Sequence, residues 1–231
     1  MNMNNKGLWR STPSEENYLL SMERAMDHNN QGVAHLEDGN HEQALLDVNI
    51  ALQFLNSARR FLKETNFPEI PATSSHCCRQ AYKCISTQNA FVCSNAFLLD
   101  HSVKPIYSCV IESASVLLNM ALCYHISSLE ARSISNSMSN AVKLYKMAYN
   151  LSTQCHSDSR RHDIIFSSLN NLGQLMHDMG EFDLSRVYLD ELTCKVVRLL
   201  QSNEASAIDN GQDFLLNALV LKNPHICAPA A

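Results

Sequence analysis

Apolar residues recur at helical spacing over two long stretches of the chain, residues 14–66 and 106–223. Both stretches lack proline, which costs about 3 kcal/mol inside a helix. In the first stretch the apolar positions fall three or four residues apart, as on one face of an amphipathic helix. These positions are Leu19, Met22, Met26, Val33, Leu36, Ala44, Leu45, Val48, Ala51, Leu52, Leu55, Phe61 and Leu62.

The pattern predicts six helices that form three consecutive pairs. Ser14 is a suitable N-cap for the first helix, because acidic residues follow it in the first turn. Gly39 and Gly180 follow periodic stretches, and glycine often ends a helix in the left-handed conformation. The predicted helices span residues 14–38, 41–64, 106–129, 139–153, 158–179 and 182–201, with a polar connection at 130–140.

Residues 67–105 differ from the helical stretches. Aromatic and β-branched residues concentrate in 82–87 and 90–99, on either side of the polar pair Gln88-Asn89. This arrangement predicts two short strands and a possible β-hairpin. Residues 214–221 could add a third strand, because an isolated hairpin is marginal in water. A short helix is the alternative for that tail segment.

A pattern of small residues repeats along the chain. Asn30-Gln31-Gly32 is followed by Gly39, and Asn171-Leu172-Gly173 is followed by Gly180 at the same spacing. Asn119-Met120-Ala121 repeats the beginning of the pattern with alanine in place of glycine. Internal repetition of this kind indicates stacked helix–turn–helix units.

These residues resemble the tetratricopeptide repeat, a pair of antiparallel helices about 34 residues long. The resemblance covers somewhat over half of the chain and implies a mostly α fold. The expected architecture is a TPR-like α-α superhelix of antiparallel helix pairs with a small β-hairpin insertion. Its small packing positions are Gly32, Gly39, Ala44 and Ala51, then Ala121, Ala141 and Ala148, then Gly173 and Gly180, followed by Ser185 and the atypically large Leu192.

The expected organisation follows the same repeats. Residues 1–13 form a flexible N-terminus, 14–66 a first helix pair and 67–105 an irregular insertion. Residues 106–202 hold two further pairs, and 203–231 form a C-terminal segment with a possible short strand. The second pair needs about eight extra residues between its helices, which the Ser- and Asn-rich connection supplies.

Three asparagines at one register suggest a binding surface. Asn30, Asn119 and Asn171 each lie two residues before the small position of a first helix. In related peptide-binding repeats, such as those of kinesin light chains, asparagine here lines the concave groove. A side-chain amide both donates and accepts hydrogen bonds, so it can pair with the backbone of an extended peptide. The other predicted groove residues are Asn170, Gln174, His125 and His177.

The composition narrows the function further. The chain is 45% hydrophobic and 18% charged with a net charge of −5, and its basic residues are scattered. We therefore expect neither a nucleic-acid surface nor a membrane span. We find no catalytic, metal-binding or cofactor motif, and the start of the chain lacks a secretion signal. The resulting expectation is a non-catalytic cytoplasmic adaptor that binds a protein partner as a peptide or helix.

Other interpretations stay open. Cys77, Cys78, Cys84 and Cys93 form a dense thiol group that suits a redox or metal-binding protein, although their spacing matches no known ligand pattern. A structural subunit of a larger complex is a third possibility. The sequence also leaves two arrangements open for 67–105: the segment caps the helical array, or it crosses the groove and occupies it.

Overall fold

The computed structural model describes residues 2–3, 9–10, 13–65, 80–81, 96–99, 109–130, 135–155, 160–202 and 211–222. Seven helices account for most of this part of the chain. They are α1 (Pro13–Glu37), α2 (His41–Thr65), α3 (Val110–Glu130), α4 (Ser135–Thr153), α5 (Arg160–Asp178), α6 (Phe182–Leu200) and α7 (Gly211–Lys222). Four two-residue strands are also present: β1 (Asn2–Met3), β2 (Trp9–Arg10), β3 (Gln80–Ala81) and β4 (Ala96–Phe97).

The prediction of a mostly helical chain is confirmed. Helices α1, α2, α5 and α6 begin and end within two residues of the predicted bounds. Helix α4 begins at Ser135, which lies inside the predicted polar connection. The connection from α3 to α4 is therefore shorter than predicted, because serine and asparagine are tolerated in the first turn of a helix.

Each of three helix pairs packs face to face: α1 on α2, α3 on α4, and α5 on α6. The short connections make the partners of each pair antiparallel. The close approach is visible at Gly32, where an added Cβ would lie 2.6 Å from Val48 Cγ2. At Gly173 an added Cβ would lie 2.6 Å from Leu189 Cδ2. These two glycines therefore sit where two helices cross and no side chain fits.

Two other glycines end helices. Gly39 has φ of +76° and Gly180 has φ of +79°, which is the left-handed region that glycine enters without steric cost. The N–H of Asn40 donates to the carbonyl of His35, and the N–H of Glu181 donates to that of Met176. These bonds satisfy carbonyls at the end of the preceding helix.

Successive helices pack on one another along the whole chain, and alternate helices also touch. Helix α3 contacts both α1 and α5, and α5 contacts α7. The first helices of the three pairs, together with α7, thus form one row. The residues at the predicted packing positions of the second and third pairs are buried. They are Ala121, Ala141, Ala148, Ser185 and the larger Leu192. Ala44 and Ala51 are fully buried on α2.

The C-terminal segment is a helix, α7, so the predicted short strand is wrong and the helical alternative is right. Phe214 and Ala218, four residues apart, are buried against the third helix pair, whereas Leu216 is 56% exposed. On a strand residues 214, 216 and 218 would all face the same side, whereas on a helix residues 214 and 218 share a face and residue 216 points away. The ring centroid of Phe214 lies 5.9 Å from that of Phe166 on α5.

Two small strand pairs lie outside the helices. β1 pairs antiparallel with β2, so part of the predicted flexible N-terminus has regular structure. β3 pairs antiparallel with β4, with Gln80 opposite Phe97 and Ala81 opposite Ala96. Residues 82–95, which hold most of the predicted hairpin, lie outside the described residues.

Helix α3 is the most apolar helix. Its residues Val110–Leu129 have mean hydropathy 1.3, which by length and composition is enough to cross a membrane. The sequence prediction had found no such stretch, because polar residues such as Asn119 interrupt its apolar run. Of the relevant window, 72% is buried inside the protein. Helix α3 packs against α2, α4 and α5, and a helix buried on all sides in a protein core has the same apolar composition.

Candidate functional site

Asn30 of α1 binds both backbone groups of one residue from the connection between α2 and α3. Its Oδ1 accepts from the N–H of Leu99 at 2.8 Å, and its Nδ2 donates to the carbonyl of Leu99 at 2.8 Å. The two residues are 69 positions apart in the sequence. The side-chain amide thus pairs with the main chain as a neighbouring β-strand would.

Asn119 of α3 makes the same two kinds of hydrogen bond to Phe97, which lies two residues before Leu99. Its Oδ1 accepts from the N–H of Phe97 at 2.8 Å, and its Nδ2 donates to the carbonyl of Phe97 at 2.9 Å. Asn29 of α1 reinforces this pair by donating to the same carbonyl at 2.8 Å. Asn119 Nδ2 also donates to Asn29 Oδ1 at 2.8 Å. We call Asn29, Asn30 and Asn119 the asparagine clamp, and residues 96–99 the clamped segment.

The clamp provides hydrogen-bond partners for the backbone groups along one edge of the clamped segment. In an extended chain, the backbone groups of alternate residues point to the same edge, so Phe97 and Leu99 face the clamp together. The pairing with β3 occupies the strand's other side. Asn29 and Asn119 are fully buried, and Asn30 is half-buried. A buried amide must find hydrogen-bond partners, and here an extended main chain supplies them.

The side chains of the clamped segment anchor it in the core. Phe97 is 1% exposed and belongs to a hydrophobic core cluster formed mostly by residues of α3 and α4. Leu99 is 2% exposed and packs with residues of α1 and α2. The segment is therefore held by its main chain on one edge and by two apolar side chains, two residues apart, in separate parts of the core.

The third asparagine of the repeat is in a different environment. Asn171 of α5 is fully buried and donates from Nδ2 to the hydroxyl of Tyr145 at 3.1 Å. Tyr145 Oη lies 3.2 Å from His125 Nδ1. This polar chain connects α5, α4 and α3 inside the protein. Burial lowers the pKa of His125 to about 4, so its imidazole is neutral at pH 7.

Asn170 lies beside Asn171 and faces α7. It donates from Nδ2 to Asn171 Oδ1 at 3.1 Å and accepts from Asn217 Nδ2 at 3.4 Å. Asn170 is fully buried, so α7 covers the position that an external ligand of the third pair would need. The sequence pattern does not single out Asn217, because it allows residues 214–221 to be a strand or a helix.

Gln174 and His177 lie near the end of α5. Gln174 is 4% exposed and donates to Asp178 Oδ1 at 2.7 Å. His177 is half-buried, with its ring 5.2 Å from the ring of Phe182 and its Nδ1 3.7 Å from Asp178 Oδ1. Burial raises the pKa of the Asp178 carboxyl, against the lowering effects of Gln174 and His177.

The structure therefore differs from an open, asparagine-lined groove. Asn30 and Asn119 are joined by one peptide, but that peptide is the chain's own segment. Asn171, Asn170 and His125 are buried in packed interfaces, and Gln174 is buried near the C-terminal end of α5. Of the predicted groove residues, Asn30 and His177 retain partial exposure. The sequence pattern suggests the binding chemistry of Asn30 and Asn119 but does not single out Phe97 and Leu99, which it predicts only as strand residues.

The thiol cluster of the alternative hypothesis, Cys77, Cys78, Cys84 and Cys93, lies outside the described residues. The cysteines within the described ranges are free thiols, at Cys109, Cys123, Cys155 and Cys194. Burial raises the pKa of Cys123 to about 12, which makes it a poor nucleophile. Within the described ranges there is also no group of three or more metal-ligating side chains.

Comparison with protein-family models, with curated proteins and with solved structures finds no match to this chain.

Proposed function

We propose that this protein is a non-catalytic interaction adaptor, a tetratricopeptide-like array that binds an extended peptide through the asparagine clamp. The observation that carries the proposal is the paired contact of each asparagine. Asn30 and Asn119 each engage both the N–H and the carbonyl of a single residue, at alternate positions of one extended segment. Such contacts recognise main chain rather than a particular side chain.

The clamp favours an extended peptide over a helix as the ligand. In a helix the backbone N–H and carbonyl groups bond to one another, so interior residues offer nothing to a side-chain amide. An extended chain leaves these groups free along both edges. The close helix pairs and the row of first helices support the same interpretation, because stacked helix pairs expose extended binding surfaces. A cytoplasmic location remains a prediction.

A peptide selection tests this function. We would first replace Phe97 and Leu99 by alanine, which removes the two anchors of the clamped segment and leaves the clamp intact. A library of random decapeptides is then selected for binding to this F97A/L99A protein. Selection against the same protein carrying N30D and N119D removes peptides that bind elsewhere. Aspartate has nearly the same shape as asparagine but cannot donate to a peptide carbonyl.

We expect enriched peptides that bind the F97A/L99A protein and lose at least about tenfold in affinity when the clamp is changed. Asn56→Asp on the exposed face of α2 is the matched control and should leave the affinity unchanged. Fluorescence anisotropy with the enriched peptides gives the affinities. If every enriched peptide binds the clamp variant equally well, the proposed function is wrong.

A further inference from the structure

We infer that the clamped segment is an internal ligand of the groove, and that the external partner is an extended peptide with two apolar side chains, two residues apart, that must displace it. This inference rests on the proposed function and adds the chemistry of the partner and the regulation of the site. The contacts made by the segment are those that a ligand would make. They come from side-chain amides of helices that are distant in sequence, at separations of 22 and 69 residues.

The selectivity of the site follows from the side chains of the segment. The clamp pairs with the backbone of any extended residue, so it fixes the register but not the sequence. Phe97 and Leu99 supply the sequence information, because each fills a separate buried position. A partner in the same register therefore presents an aromatic residue at the Asn119 position and an aliphatic residue at the Asn30 position.

The helices can keep their packing when the segment is exchanged. Helix α1 packs on α2, α2 on α3, and α3 on α4 through direct contacts between the helices. An unoccupied clamp would remove the bonds that the buried amides of Asn29 and Asn119 make to the backbone of Phe97. The site therefore favours replacement of one extended chain by another over an empty groove.

Peptide competition tests the inference. The probe is a labelled peptide with the sequence of residues 94–101, Ser-Asn-Ala-Phe-Leu-Leu-Asp-His. We expect it to bind the F97A/L99A protein at least about tenfold more tightly than the unchanged protein, in which the tethered segment competes at high effective concentration. The matched control peptide has the same composition with Phe97 and Leu98 exchanged. It should bind about tenfold more weakly, since the exchange moves the aromatic ring to the opposite face of the strand.

Hydrogen exchange on the unchanged protein provides a second test that does not depend on the variant folding. The amide protons of Phe97 and Leu99 are bonded to the clamp, so they exchange when the segment is released. We expect them to exchange at least about a hundredfold faster than the amides of Leu118 and Leu172 in the helical core, because release is a local opening.

The outcomes separate the two proposals. If no peptide binds the F97A/L99A protein through the clamp, the proposed function fails. If selected peptides bind through the clamp but equally well to the unchanged protein, or lack the two apolar positions, the function stands and the inference of an internal ligand is overturned. Exchange of Phe97 and Leu99 only at the rate of the core helices would also overturn the inference, because the segment would then be a permanent part of the fold.

Discussion

Replacing Asn119 by alanine is expected to destabilise the protein more than the same change at Asn30. Asn119 is fully buried and makes three hydrogen bonds, to the N–H and carbonyl of Phe97 and to Asn29. Its removal leaves the buried N–H of Phe97 and the Oδ1 of Asn29 without those partners. The carbonyl of Phe97 keeps the bond from Asn29 Nδ2 at 2.8 Å.

The magnitude follows from these losses. An unsatisfied buried polar group costs about 1–3 kcal/mol, so two such groups give a loss of about 3 kcal/mol for Asn119→Ala. Asn30→Ala breaks two bonds to Leu99, but that site is partly exposed, so water can replace them at a cost of about 1 kcal/mol. Both changes gain the same helix propensity, which cancels in the difference. The expected difference is therefore about 2 kcal/mol.

Urea unfolding followed by far-UV circular dichroism measures this difference, provided that the m-value stays constant between variants. Asn56→Ala on the exposed face of α2 is the control and should change the free energy of unfolding by less than about 0.5 kcal/mol. A loss at Asn119 no larger than the loss at Asn30 would refute the reasoning, because the buried bonds to Phe97 would then contribute nothing to the fold.

The same unfolding measurements test three further predictions. Because His125 is neutral in the folded protein, with a pKa of about 4 against 6.5 unfolded, its contribution to stability is present above pH 6.5 and is lost as the pH falls towards 4. Between pH 7 and pH 5 the free energy of unfolding should fall by about 2 kcal/mol more in the unchanged protein than in the His125→Leu variant. An equal fall in both proteins would contradict the burial of a neutral imidazole. Gly32→Ala should lower the free energy of unfolding by about 2 kcal/mol, and Gly173→Ala should lower it less. The added methyl group approaches backbone atoms at Gly32 but only a movable leucine side chain at Gly173. A larger loss at Gly173 would mean that the tighter helix crossing lies in the third pair. Phe214→Ala should cost about 3 kcal/mol, against about 0.5 kcal/mol or less for the exposed Leu216→Ala, and equal costs would mean that α7 does not pack as described.

The helices could be predicted because their signals are local. Proline-free stretches with apolar residues every three or four positions specify helices, and Gly39 and Gly180 mark two of the ends. The C-terminal segment shows where this reasoning stops. A short apolar run such as 214–221 fits a strand or a buried helix equally well, and packing of Phe214 on α5 selected the helix.

The candidate site could be predicted only in part. The shared register of Asn30 and Asn119 indicated amides that pair with an extended backbone, and both residues make such pairs. Asn171 has the same register but bonds to Tyr145, because α4 packs on α5 there. Register determines which face of a helix a residue occupies, whereas the neighbouring elements determine what that face contacts.

The sequence by itself determined where the helices of the three pairs lie, which small residues allow them to approach, and which side chains carry amides on the first helix of each pair. These properties depend on residues within a few turns of one another. Only the tertiary structure decided that residues 96–99 occupy the clamp. The contacts concerned join residues 22 to 90 positions apart, and each requires the helices to be packed before its two partners can meet. Amide groups can bond to any extended backbone, so nothing in their own sequence specifies which segment they bind.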